Sequence, residues 1–273
     1  MSEAFAAPTG EGFADAVTLS WGDLSSEVFG LARIGVADGS SVSALGVLFS
    51  GNDVIESVAE GGLSLEASDW SSVRAGPLEI SNPEPHETWR LVWDGAADLT
   101  FTAASPPLTL AGGGMEGHEK VCHVEGTAAG QRVSGLGQRG RSWGVADWDR
   151  LALARNLSAW WEDRAVVLAA LRPAKASDHA HEELTAWVVE GDTAAPVAEP
   201  RLSTTYDGEG RQRRAGLELY LTGDDDEFPR RVAGEVACGT SLELGRLRLD
   251  CAFFRWRSEG QAGVGRYDVL RRA

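Results

Sequence analysis

Short runs in which apolar residues alternate with small or polar ones, separated by Gly- and Asp-rich turns, constrain this chain more than any other feature. Residues 27–36 alternate in this way, Asp38-Gly39-Ser40-Ser41 supplies a turn, and residues 42–50 alternate again. Gly51-Asn52-Asp53 turns into 54–59, and Glu60-Gly61-Gly62 turns into 63–67. A period of two sends successive side chains to opposite faces, so each run can line a core with one face only. Strands this short at this spacing predict an all-β sandwich or barrel.

The pattern continues along the chain. In 87–94, Glu87, Trp89, Leu91 and Trp93 share one face, which lines a core or a pocket, and 99–103 pairs with that strand. Residues 70–85, rich in Ser, Pro and Asn, read as a connection. Runs 118–126 and 131–135 form a hairpin leading into the central stretch 135–148. Residues 151–171 are rich in helix formers, yet the surrounding β pattern selects a hairpin about Glu162-Asp163-Arg164. A polar loop at 175–183, a strand at 184–190 and a linker-like turn at 191–200 follow. Strands at 203–206, 217–222, 231–237, 247–256 and 265–270 complete a second all-β half, with an acidic turn at Asp224-Asp225-Asp226-Glu227. The expected division is 1–146 and 147–273.

The net charge of −16 over 273 residues repels phosphate backbones and anionic lipid, so nucleic acid and membrane insertion are not expected. On the same ground a neutral or apolar ligand suits the chain better than an anionic one. The N-terminal residues lack the basic start and apolar core of a signal peptide, and no apolar run reaches the roughly 20 residues of a membrane helix. Cys122, Cys238 and Cys251 are odd in number and lack a CxxC spacing, which points to reduced thiols in a cytoplasmic protein; a Cys238–Cys251 disulfide is the lesser reading.

The central stretch Gly135-x-Gly137-x-Arg139-x-Arg141-Ser142-Trp143-Gly144-x-x-Asp147-Trp148 resembles the signature of bacterial proteins related to carotenoid 1,2-hydratase (hydroxyneurosporene synthase) and tocopherol cyclase. Gly117-His118-Glu119-Lys120 with Val124-Glu125-Gly126-Thr127 is similar to the strand before that signature, and Gly263-x-Gly265-x-Tyr267 to the family's C-terminal end. The resemblance implies two lipocalin-like (calycin) antiparallel β-barrels side by side, holding an apolar ligand in or between them. It also implies hydration or cyclisation of terpenoid chains, with Diels–Alderases among the lipocalin-like relatives. Two charges of that signature are absent: the family's Asp is replaced by Gly140 and its Arg by Ala146.

Protonating an isolated alkene needs a carboxylic acid in a dry pocket, where burial raises the pKa, and a π face for the resulting carbocation. Asp147 and Glu119 are the candidate acids. Trp143, Trp148, Trp89, Trp93, His118 and Arg141 are the candidate ligand-binding residues, and His118 or His123 is a candidate base. An equally physical alternative pairs Asp147 with Arg139 or Arg141 and leaves the indoles as barrel filling. His179 and His181, as His-x-His, could share a strand face toward zinc but lack a third ligand at a telling spacing, so no metal is expected. Arg211-Gln212-Arg213-Arg214 reads as a solvated strand edge.

The resulting expectation is a cofactor-free isomerase, cyclase or hydratase acting on a hydrophobic terpenoid or polyketide-like molecule through a carboxylic acid in an aromatic pocket. The alternative is a non-catalytic lipid- or terpenoid-binding protein of the same fold. A homodimer is compatible with either.

Overall fold

The computed structural model describes residues 3–176, 181–221 and 228–272. They are all-β, in two barrel-like antiparallel sheets, and the chain divides into two compact units, Met1–Ala146 and Asp147–Ala273.

The first unit opens with β1 (Ala14–Asp23), β2 (Val28–Ala37), β3 (Ser41–Ser50) and β4 (Asp53–Ser64). β5 (Ser72–Ala75), β6 (Leu78–Glu84), β7 (Thr88–Trp93), β8 (Ala97–Ala103), the two-residue β9 (Leu108–Thr109), β10 (Met115–Ala128) and β11 (Gln131–Gly144) follow. The ladder runs β4-β3-β2-β1-β11-β10-β8-β7-β6-β5, with β9 on β10. Its first and last long strands therefore meet, Ala14 opposite Gly144. At the two free edges, a Cβ on Gly76 would stand 2.7 Å from Glu60 Oε2, so β4 and the β5–β6 turn curl close together.

Alternation builds this core as β7 predicts: Trp89, Leu91 and Trp93 are buried while Arg90 is exposed. Trp21, Trp70 and Phe101 join them. Each such ring removes about 150–250 Å² from water, at about 25 cal/mol per Å² as an upper estimate. Trp21 lies flat over Gly30 on the neighbouring strand, where a Cβ would come within 2.2 Å of the indole, so only glycine fits.

The second unit is a closed barrel of eight strands in sequence order: β12 (Leu151–Trp160), β13 (Arg164–Pro173), β14 (Glu183–Glu190), β15 (Thr193–Tyr206), β16 (Gln212–Leu221), β17 (Arg230–Leu244), β18 (Leu247–Ser258) and β19 (Gln261–Arg272). Antiparallel β12 and β19 pair to close it. Closure gives every strand of this sheet two neighbours.

Several expectations need correction. The turn expected at 60–62 is a bulge inside β4: pairing skips from Val42↔Leu63 to Ala44↔Glu60, and Gly62 takes φ 70° to absorb it. The connection at 70–85 contains β5 and β6, and the linker-like turn at 191–200 belongs to β15. There Pro196 and Pro200 sit where β15 pairs on one side only, with β14 up to Pro196 and β16 from Val197, so neither missing N–H breaks a ladder. Gln212 is not on a solvated edge. It is buried in β16, between β15 and β17, and donates to the carbonyls of Asp250 and Tyr267. Residues 151–173 form the hairpin, β12 and β13. The three cysteines are free and buried. The acidic turn 224–227 and His179 lie outside the described residues. No helix of the described residues is long and apolar enough to cross a membrane.

Candidate functional site

The register of β1, β11 and β10 assembles a polar cluster inside the first unit. Asp15 stands opposite Trp143, Arg141 opposite His118, and Arg139 opposite Lys120. Alternation turns all six of these side chains to the face that carries the core. The segment before β1 adds a seventh. A bridge between Ala4 and Asp69, and a bond from Trp70 N to the Glu3 carbonyl (2.8 Å), carry Glu3 into the sheet interior.

Glu3 Oε1 accepts from Arg139 Nη2 (2.5 Å) and Arg141 Nη1 (3.0 Å), while its Oε2 accepts from Asn82 Nδ2 (3.0 Å). Arg141 is also forked onto Asp15, with Nε to Oδ1 at 3.1 Å and Nη2 to Oδ2 at 2.8 Å. Asp15 Oδ2 takes two further donors, Trp70 Nε1 (3.0 Å) and the Ala6 amide (2.8 Å). Arg139 lies 4.8 Å over the Trp89 ring and Arg141 5.4 Å over Trp143. His118 Nε2 is 2.8 Å from Arg139 Nη1, and its ring meets Trp143 edge-on at 5.9 Å.

Each charge state has a visible cause. Burial opposes the Glu3 carboxylate, but Arg139 and then Arg141 outweigh it and hold its pKa below the ordinary value. Burial, reinforced by Arg139, pulls His118 down to about 4, so at neutral pH the ring is uncharged and accepts from Arg139. Burial lowers the Arg139 pKa despite Glu3. For Arg141 the effects of Asp15 and Glu3 exceed that of burial, and its pKa rises.

A recess of about 360 Å³ opens at this end, lined by Ala6, Thr9, Phe13, Glu116 and Trp143 among others. Glu116 accepts from Trp143 Nε1 at 3.1 Å. Trp143 is thus the partition between the recess and the Arg141–His118 pair behind it.

The structure brings together His118, Arg141, Trp143 and Trp89. Trp93 belongs to the same core cluster, where it packs against Gly46 rather than against the charged groups. Glu119 points to the opposite face of β10 from His118. Its carboxylate stands 2.4–2.8 Å from where a Cβ on Gly140 would be, so it fills the space in which a residue-140 side chain would stand. Asp147 is displaced from the expected arrangement: β11 ends at Gly144, and Asp147 starts a turn with its side chain 43% exposed. It binds the Arg150 amide (3.2 Å) and guanidinium (3.2 Å), and neither Arg139 nor Arg141 is its partner. A hydrated carboxylate paired to a cation lacks the dry surroundings that an alkene-protonating acid requires. Trp148 is half-buried in that same turn, and its carbonyl accepts from Arg272. Sequence reasoning missed Glu3, Asp15 and Glu116. The only available signal was Asp15, a lone carboxylate in the apolar run Phe13-Ala14-Asp15-Ala16-Val17. Among the described residues no group of three His, Cys, Asp or Glu side chains could hold a metal ion.

A family model described as a domain of unknown function (DUF7064) matches residues 3–273. No curated protein sequence matches the chain. Among solved structures, one from Nitrosomonas europaea assigned as an AttH superposes with a TM-score of 0.68 at 12% identity, over 97% of this chain and 94% of that one. CghA with Sch210972 gives 0.66 at 10% identity, over 100% and 95%. Kievitone hydratase from Nectria haematococca gives 0.63 at 11% identity, over 100% and 96%. At these identities the likeness is one of fold.

Proposed function

We propose that this chain, which belongs to the DUF7064 family, takes a hydrophobic small molecule at the Trp143 end of its first unit and performs a cofactor-free cyclisation, isomerisation or hydration by proton transfer. The observation that carries the reading is the recess itself, where an indole and a carboxylate, Trp143 and Glu116, border open space in front of a buried Arg–His–carboxylate cluster. Perturbed titratable groups beside a recess are what a proton-transfer site is built from. The neighbours support the same class by name, since one is a hydratase and another was solved with a small molecule bound.

The roles follow from the geometry. Trp143 offers its π face to the substrate and to positive charge that develops on it. Glu116, exposed at the rim, moves the proton. The open rim lacks the dry surroundings that protonating an isolated alkene requires, so the substrate is one whose double bond is already activated, for example by conjugation to a carbonyl. The Asp147 route and the carotenoid-type substrate implied by the motif are less well served by this geometry. The same exposure favours a second reading, a non-catalytic carrier of an apolar ligand.

Native mass spectrometry of freshly purified protein tests both readings, with Trp143→Ala and Glu116→Gln as comparisons. A co-purifying apolar ligand that is lost in Trp143→Ala supports the site. Conversion of an activated alkene by wild type, abolished in Glu116→Gln with the ligand retained, selects the enzyme. A ligand retained by every form without conversion selects the carrier. A ligand indifferent to Trp143→Ala refutes the site.

A further inference from the structure

The balance of charge in the first unit's cluster depends on Glu3. Arg139, Arg141 and Lys120 face Glu3 and Asp15, with His118 neutral between them. Lys120 is turned aside, donating to the His86 carbonyl at 2.6 Å with Glu87 3.8 Å away. Arg139 Nε is buried with no hydrogen-bond partner among the described residues. Removing Glu3 would leave Arg139, whose side chain is 1% exposed, with a neutral imidazole and an indole for company. A buried guanidinium in that state demands an anion.

Glu3 is the member of the cluster that can leave. Asp15, Arg139, Arg141 and His118 lie on strands of the central ladder. Glu3 sits on an irregular segment, and residues 7–12 of that segment are exposed. Apart from the three bonds to the Glu3 carboxylate and the buried Phe13 at its far end, whose carbonyl accepts from the Asp38 amide (3.2 Å), its anchors are the bridge at Ala4, the Trp70 amide on the Glu3 carbonyl, the Ala6 amide on Asp15, the Ala4 carbonyl on Arg141 and the Phe5–Trp70 edge contact. Irregular segments outside the ladder open locally at less than the global stability. The same segment forms one wall of the recess through Ala6, Ala7, Thr9 and Phe13.

We propose that the seat filled by Glu3 is a carboxylate subsite, and that an amphipathic carboxylic acid enters it by exchanging with the 3–13 strap. The ligand's carboxylate takes the place of Glu3 between Arg139 and Arg141, forked as planar guanidinium groups favour. Its apolar body lies along Trp143 in the recess widened by the strap's departure. Glu3 is then an internal mimic of the ligand head group, and it sets the affinity threshold. This rests on the reading of the Trp143 end as a ligand site, and it narrows the ligand from any apolar molecule to an anionic amphiphile. It also reverses what net charge suggested: the surface is acidic, but the seat is cationic.

Dodecanoate and dodecanol, both below their aggregation limits, distinguish the head group from the chain. Binding is followed by tryptophan fluorescence in wild type and Glu3→Gln. Dodecanoate is expected to bind wild type, and to bind Glu3→Gln about tenfold more tightly, because removing the competing carboxylate removes the cost of opening the seat. Dodecanol should change less than twofold between the two forms. Equal binding of acid and alcohol in both forms overturns the carboxylate subsite but leaves the apolar-ligand reading standing. Failure of both probes to bind either form overturns both. If Glu3→Gln does not fold, hydrogen exchange on wild type decides. Dodecanoate, and not dodecanol, should speed exchange of the Trp70 amide, and an unchanged Trp70 amide in the presence of bound dodecanoate overturns the exchange.

Discussion

Both units bury a Glu between two Arg side chains, but they tether the carboxylate differently. In the first unit Glu3 bridges Arg139 and Arg141 from an irregular strap. In the second, Glu182 pairs with Arg155 and Arg172 from the residue next to β14. Arg155 is further fixed by Tyr267 Oη (3.2 Å) and Thr204 Oγ1 (3.3 Å), which bond to each other at 2.7 Å. Burial pushes the Tyr267 phenol up to about 12, so it stays a neutral hydroxyl that accepts from Arg155. The second barrel is closed and its triad belongs to the frame. In the first unit the carboxylate arrives from outside the ladder, and the triad can come apart without disturbing a strand.

That difference predicts unequal costs for equivalent damage. Arg155→Met leaves Glu182 buried and held in place, and should cost about 3–5 kcal/mol in a denaturant titration. Arg139→Met strands Glu3 as well, but the strap can carry the carboxylate into water while Arg141 keeps Asp15. Its cost should be roughly half as large. Equal losses would mean that the strap is as fixed as β14, and the comparison would fail.

A second contrast is in pH response. His118 has a folded pKa of about 4 against an ordinary 6.5, so between those values the unfolded chain binds more protons. Its contribution to stability is present above about pH 6.5 and is lost as the pH falls toward 4. Glu3, also depressed, adds a loss in the same direction below its ordinary value of 4.5. The groups facing His118 are Arg139, Arg141, Lys120 and Glu3. The melting temperature of wild type should therefore drop between pH 6.5 and 4, and His118→Gln should flatten that drop. An identical slope in the variant would remove His118 as the source.

Where the units agree, they should fail alike. Trp256 covers Gly234 in the second barrel as Trp21 covers Gly30 in the first, each indole directly across from its glycine. A Cβ would come within 2.3 Å of Trp256 and 2.2 Å of Trp21. Gly30→Ala and Gly234→Ala should each cost about 1–3 kcal/mol by overpacking, seen as matched shifts in thermal melting. A loss at one position alone would show that only one of the two indoles is held rigidly.

How much of this could be read from the sequence depends on how many faces a strand buries. β7 carries water on one face, so its alternation was visible, and the hairpin β12–β13 followed from its surroundings despite a helical composition. β1 reads Ala-Asp-Ala-Val-Thr-Leu-Ser-Trp-Gly-Asp and is buried at nearly every position, so a period of two has nothing to contrast. β15 was hidden by Pro196 and Pro200, which usually mark loops. Of the motif 135–148, Arg139, Arg141 and Trp143 share one face of β11 and join the polar cluster. Their anionic partners were not legible: Glu3 and Asp15 lie 136 and 126 residues from the guanidinium groups they meet, and no local spacing encodes such a pairing. Glu119 as acid and His118 as base are separate candidates in the sequence, and as adjacent residues on a strand they face opposite ways.

The smallest effect concerns the residue that the motif brought forward most strongly. Asp147 looked like an acid between two indoles because Trp143 and Trp148 bracket it in sequence. In the fold the strand stops at Gly144, and the bracket is broken by the turn that follows. The Asp147 carboxylate spends its hydrogen bonds on Arg150, whose side chain is 87% exposed. Exposed pairs of this kind contribute about 0–1 kcal/mol. Asp147→Asn keeps the turn's acceptor for the Arg150 amide and removes only the charge, so its melting temperature should match wild type within a degree or two. Binding at the Trp143 recess should be unchanged, since Asp147 does not line it. A variant that melts normally but loses turnover of a substrate found by the mass-spectrometric route would return Asp147 to the centre of the chemistry and move the reaction away from Glu116.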